Sequence, residues 1–143
     1  MEQTVTNLMR EEHQRLDKML EKVEIALKNN SKVKERFDTF QWNLKKHFLA
    51  EEKGIFGLLN SIQGEDIPHV FDLMNVHSTM VELIVKIEQT LPKIKDKDIQ
   101  NLKKILTNHS DFENKFFYPK LDKVLNPNVK QQIISRAKEI ISN

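Results

Sequence analysis

Four histidines spaced as an even ladder constrain this chain more than any other feature. His13, His47, His77 and His109 are separated by 34, 30 and 32 residues. The midpoints of those gaps, residues 30, 62 and 93, fall in or beside Asn29-Asn30-Ser31, Gln63-Gly64 and Pro92-Lys93. All three are turn signals. Folding the chain there gives four antiparallel helices with every histidine at one level. At a rise of about 1.5 Å per residue, that level lies roughly 25 Å from the turns. Two of the histidines are followed four residues later by a glutamate, in His47-Phe48-Leu49-Ala50-Glu51 and His109-Ser110-Asp111-Phe112-Glu113. Residues four apart share one helix face. Both carboxylates therefore join the histidine layer.

Composition agrees with an all-α reading. Among 143 residues there are three glycines and four prolines, and strand-type alternation is nearly absent. The length suits a single domain with a real core. Charges alternate in sign and leave a net +2, which gives no basic stripe for nucleic acid. No apolar run is long enough to span a bilayer, and Met1-Glu2-Gln3-Thr4 opens no signal core. These features suit a cytoplasmic protein with no membrane contact. With no cysteine, disulfides, thiolate metal sites and Fe–S clusters are excluded.

The expected fold is an up-down-up-down four-helix bundle, about 4–124, with a short C-terminal helix, about 127–141, in one domain over 1–143. The first helix, about Thr4 to Lys28, turns Met9, His13, Leu16, Leu20, Val23 and Leu27 inward. The second starts near Ser31 as N-cap and shows Phe37, Phe40, Leu44, His47, Glu51, Ile55 and Leu58. Glu52, turned about 140° from His47, is expected to face solvent. The third begins near Pro68 and shows Val70, Leu73, Met74, His77, Met80, Ile84, Ile87 and Leu91. The fourth begins near Lys97 and shows Leu102, Leu106, His109, Glu113 and Phe116. Pro119 should kink or end it. Asn126-Pro127 reads as cap and first-turn proline of the final helix.

A single histidine on an apolar face is ordinarily a core residue bonded to a carbonyl. Four at one level, with two carboxylates, are a different matter. Left unpaired, these groups would cost at least a few kcal/mol each. A cation accepts the imidazole lone pairs and offsets the buried negative charge. A mutually hydrogen-bonded polar core without metal is the competing reading. Nitrogen and carboxylate donors without sulfur suit iron, manganese or zinc. Six ligands are too many for one tetrahedral zinc, so two ions fit better. His13 and His47 can hold one, His77 and His109 the other, with Glu51 and Glu113 bridging. Room remains for an oxo or hydroxo bridge and an exogenous ligand. The Glu-x-x-His element of ferritin-like bundles does not occur.

Glu12-His13, His47-x-x-x-Glu51, His77 and His109-x-x-x-Glu113 together resemble the hemerythrin-like, HHE cation-binding family, over nearly the whole chain to about Tyr118. The resemblance implies terminal ligands at His13, His47, His77 and His109 and bridges at Glu51 and Glu113. It also implies a non-haem di-iron centre that binds or reacts with dioxygen, nitric oxide or peroxide. The chain departs from the family's oxygen carriers, which place a fifth histidine where Leu73 stands. It also departs from sensor-type relatives with a glutamate directly after the second-helix histidine, where Phe48 stands. Either an open position remains, or another oxygen donor fills it. Asp17, four residues after His13, is the residue to test, against a reading as a solvated acid.

Leu44, Leu73, Met74, Phe112 and Phe116 lie about one turn from ligands and can form an apolar wall, which is equally ordinary core. His69 is roughly 12 Å along the helix from His77, too far to serve the same pair. Tyr118 points away from the site in an unbroken helix unless Pro119 alters the register. Trp42 lies off the ligand stripe and reads as a packing residue. The leading functional reading is a di-iron protein binding dioxygen or a related diatomic for carriage, storage or sensing. The alternatives are a di-iron redox enzyme acting on peroxide or nitric oxide, and an iron-responsive interaction module. The residues leave binder and enzyme open, and no feature identifies a protein partner.

Overall fold

The computed structural model describes residues 3–59 and 70–142. Among these the chain is all-helical and forms an all-α bundle. Helix α1 (Val5–Asn29) is followed by α2 (Val33–Leu49), which runs on through a π-helical segment π1 (Ala50–Phe56) into the short α3 (Gly57–Leu59). Helix α4 spans Val70–Glu88. Helix α5 (Asp96–Phe112) continues through a second π segment, π2 (Glu113–Phe117), into α6 (Tyr118–Val124), and α7 (Pro127–Ser142) follows. Helix α1 packs on α2 and α5, and α4 packs on α5 and α2. Helix α7 lies across π1.

Local chemistry explains these boundaries. Thr4 Oγ1 accepts from the Asn7 amide at 3.0 Å as the α1 N-cap. Asp122 on α6 adds a long-range cap, accepting from the Val5 and Thr6 amides at 3.0 Å each. The carboxylate sits at the positive end of the helix dipole and ties the start of α1 to the last turn of the fourth rod. Asn30 ends α1 in the left-handed region, φ 49°, a conformation asparagine tolerates. Ser31 is not the cap of α2: the N-cap is Lys32, itself at φ 58°, and the helix begins at Val33. Asn126 Oδ1 caps α7, accepting from the Val129 amide at 2.9 Å. The turn expected at Gln63-Gly64, the helix start at Pro68 and His69 lie outside the described residues.

Pro119 does not end the fourth rod. It has no N–H, and its ring presses on the carbonyl four residues back. The preceding segment widens to the i→i+5 pattern of a π helix, and α-helix resumes through Val124. The wider turn shifts the register of everything after Glu113. Phe116, expected inward, is 65 % exposed, and Phe117 is buried in its place. Met74, also expected on the inner stripe, is 40 % exposed, and Trp42 stands in solvent at 63 % rather than packing.

The apolar core has two parts. One, around Leu16, Phe37, Phe40, Leu44, Met80, Ile84, Ile99 and Leu102, fills the α1–α2 and α4–α5 turn end. The other, around Met9, Ile55, Phe56, Leu73, Phe117, Leu121 and Ile133, is closed by α7. On α1, His13 falls between Met9 of the second part and Leu16 of the first; on α4, His77 falls between Leu73 and Met80. The polar layer thus separates the two.

Candidate metal centre

Each of the four long helical rods contributes to that layer. His13, His47, Glu51, His77, His109 and Glu113 are all at most 5 % exposed. The structure brings all six together. His13, His47, Glu51 and Glu113 form one tetrad with ligand-type atoms within 4.8 Å of one another. Glu51, His77, His109 and Glu113 form a second, sharing both carboxylates with the first. Oε1 of Glu51 lies 3.1 Å from Nε2 of His47 and 3.1 Å from Nε2 of His77. Oε1 of Glu113 lies 3.2 Å from Nε2 of His13 and 3.3 Å from Nε2 of His109.

These approaches are close but mostly badly angled. Nε2 of His13 and of His47, and Oε1 of Glu51 and of Glu113, are buried without a hydrogen-bond partner. Buried polar atoms are normally satisfied, and each exception costs about 1–3 kcal/mol. The unpaired atoms belong to two groups whose ligand-type atoms all lie within 4.8 Å of one another, a spacing that suits a cation between them. The nitrogen and oxygen donors, without sulfur, suit a hard or intermediate cation. The cluster therefore fits a metal site.

The outer ring atoms set the direction of the inner ones. Nδ1 of His13 lies 2.8 Å from Asn114 Oδ1, and Nδ1 of His77 lies 3.1 Å from Glu52 Oε1. An amide or carboxylate oxygen can only accept, so the proton sits on Nδ1 and the Nε2 lone pair faces inward. Partners of this kind orient metal-binding histidines. Glu12 stands farther off, its Oε2 3.9 Å from Nδ1 of His47, and is held by Arg15 at 3.0 Å.

Charge is distributed unevenly. Burial opposes a charge on His47, but Glu51 and Glu12 outweigh it and push His47 up to about 9. Burial and the His47 charge bring His13 down to about 3, and burial brings His109 down to about 4. Burial also opposes ionisation of Glu51, yet His47 and the surrounding hydrogen bonds hold its pKa well below the ordinary value. Burial and the Glu51 charge raise Glu113.

Three residues escaped the sequence reading in part. Glu52 is half-exposed and also reaches Nδ1 of His77, because π1 begins at Ala50 and wider turns bring the next residue round. Asn114 had no role assigned and holds His13. Tyr118 was expected to point away, yet it is fully buried and its hydroxyl contacts Oε2 of both Glu51 and Glu113, the latter at 3.0 Å. Glu113 and Tyr118 are five residues apart, one π turn, so an i, i+5 pairing ahead of a proline was the available signal. Asp17 is exposed, outside both tetrads, at the edge of a cleft of about 300 Å³ between α1 and α5. Leu73 and Phe48 are buried and offer no donor; Phe48 stacks on His77 with centroids 4.1 Å apart.

The family model described as hemerythrin HHE cation binding domain matches residues 4–121. No curated protein and no solved structure matches the chain. No helix among the described residues is long and apolar enough to cross a membrane.

Proposed function

The chain belongs to the hemerythrin HHE cation-binding family, and from that premise we propose that it is a non-haem di-iron protein. It binds dioxygen or a related small diatomic, for carriage, storage or sensing. His13 and His47 hold one ion, His77 and His109 the other, and Glu51 and Glu113 serve both. One observation carries the reading: two buried tetrads share both carboxylates and include four inward ring and carboxylate atoms without a hydrogen-bond partner. Bound iron supplies the one-electron chemistry and exchangeable position that a diatomic needs.

The surrounding residues support a small apolar ligand. Leu73 and Phe48 put hydrocarbon where one or another set of relatives places a further donor, which leaves the pair one protein ligand short of either pattern. A cleft of about 380 Å³ between α4 and α5, lined by Leu73, Val76, Ile105 and Phe112, reaches His109. It gives an apolar approach to one end of the pair. A cytoplasmic setting is part of the same proposal.

The test is metal content per chain, together with the optical spectrum of the anaerobically reduced protein before and after oxygen. Two irons and a new visible charge-transfer band, reversed by degassing, are expected. Irreversible oxidation with repeated turnover of peroxide or nitric oxide would move the assignment to a redox enzyme. A stably folded protein that takes up no iron would remove the reading.

A further inference from the structure

We propose that Glu52 and Asn114 make the two metal positions electronically unequal, so that the ion held by His77 and His109 gives up the first electron. The inference rests on the di-iron reading above. Each glutamate of the layer is followed directly by a polar residue, Glu51 by Glu52 and Glu113 by Asn114. Both followers stand five residues after a layer histidine, His47 or His109, and both lie in a π segment. Both reach across to the histidine of a different rod. Nδ1 of His77 donates to Glu52 Oε1 at 3.1 Å, and Nδ1 of His13 donates to Asn114 Oδ1 at 2.8 Å. The two halves thus repeat one device, with a carboxylate in one copy and a neutral amide in the other.

That difference bears on the ions. A carboxylate accepting from an imidazole draws the ring proton toward itself, and the opposite nitrogen becomes the stronger donor. A stronger donor, with a negative charge one ring away, favours Fe³⁺ over Fe²⁺. An amide does far less of either. The next charges out keep the same sense. The cleft at Glu52 adds Lys45 and Glu82, one of each sign, and leaves the Glu52 charge uncancelled. The cleft at His13 sets Arg10 and Lys115 against Asp17 and Asp111. Glu12 is 3.9 Å from Nδ1 of His47, beyond a hydrogen bond, and is paired with Arg15 at 3.0 Å. The His77 ring is also held without Glu52. Phe48 stacks on it with centroids 4.1 Å apart, and Phe56 lies 6.0 Å away at a similarly small tilt. The carboxylate therefore acts on His77 by its charge.

The experiment is an anaerobic spectropotentiometric titration of the iron-loaded protein with soluble one-electron mediators. It compares the wild type, Glu52→Gln, Asn114→Asp and the double exchange, with iron content measured on each. Glu52→Gln keeps an acceptor for His77 and removes the charge. The wild type is expected to oxidise in two one-electron steps. Losing a partner of this kind costs about 10–100-fold in metal affinity. Assigned to the ferric state, at about 59 mV per tenfold for a one-electron couple, that is about 60–120 mV. Glu52→Gln is expected to raise the lower step by that amount and leave the upper step nearly in place. Asn114→Asp is expected to lower the upper step by a similar amount, and the double exchange to restore the separation. A lower step that stays put in Glu52→Gln, a shift of the upper step instead, or a wild type that oxidises in one step overturns the proposal. Either single variant decides alone should the other not hold two irons. A wild type that takes up no iron removes the di-iron reading itself. Two irons with unmoved potentials remove only the roles of Glu52 and Asn114.

Discussion

Stripping metal from the loaded protein should cost it a large part of its stability. Four inward atoms, His13 Nε2, His47 Nε2, Glu51 Oε1 and Glu113 Oε1, have no hydrogen-bond partner. At about 1–3 kcal/mol for each such atom, the unfilled layer carries a penalty of roughly 4–12 kcal/mol. A domain of this size has only about 5–15 kcal/mol in total. Around 1 kcal/mol corresponds to about 4 °C in a chain of this length, so chelation should lower Tm by about 15 °C or more. The assay is circular dichroism melting of the Fe²⁺-loaded and chelated protein under anaerobic conditions. The double variant His13→Leu/Glu113→Leu isolates the cause, since those groups approach to 3.2 Å and both are buried. Apolar replacement of a poorly satisfied buried pair is often neutral or stabilising. The chelated variant should therefore melt above the chelated wild type and respond less to added metal. Loaded and chelated wild type melting within about 3 °C of each other, with two ions shown to be bound, would refute the reasoning.

Acid and alkali should each weaken the metal-free protein. His13 and His109 are held at about 3 and about 4 against an ordinary 6.5, so between those values the unfolded chain binds more protons and stability falls as pH drops. His47, raised to about 9, contributes fully below 6.5 and loses that contribution as pH rises through 9. Denaturant titrations of chelated protein at pH 5, 6.5 and 9.5 should peak at the middle value, and a flat profile would contradict the charge distribution. Asn114→Ala removes the acceptor for His13 Nδ1 and should weaken metal binding about 10–100-fold at similar helix content, measured by competition with a chromophoric chelator. Gly54→Val should destabilise the fold by about 1–3 kcal/mol in chemical denaturation, because a Cβ at that position already lies 3.3 Å from the Ala137 backbone nitrogen. No loss of stability in that variant would mean that α7 shifts freely.

The layer itself was legible because it depends on spacing alone. Equal intervals between His13, His47, His77 and His109, folded at turn signals, place four rings at one height whatever the details of packing. Glu51 and Glu113 follow from the four-residue rule, since each lies within the first turn after its histidine. Beyond them the rule fails. Both rods widen into π turns at the two buried glutamates, and each added fraction of a turn displaces later residues round the axis. That is why Phe116 was placed inside and is exposed, and why Tyr118 was placed outside and is buried. Glu52 was misread for the same reason. Trp42 and Met74 are errors of another kind, in which apolar character was taken for burial although exposed single hydrophobics are normal. The N-cap of α2 moved from Ser31 to Lys32 because Asn30 and Lys32 both adopt the left-handed region, which hydropathy does not encode.

The close approach at Gly54 gears one part of the molecule to another. Gly54 lies in π1, three residues after Glu51, and the backbone of α7 rests against it at Arg136 and Ala137. A side chain there would act as a compressible spacer; a bare Cα does not. A Cβ at this position would meet the Ala137 backbone nitrogen at 3.3 Å, so the absence of a side chain lets π1 and α7 lie this close. Helix α7 lies beyond the stretch matched by the family, yet it is meshed with the turn that carries one of the two shared carboxylates. The seat of that last helix and the turn that carries Glu51 share one packing contact.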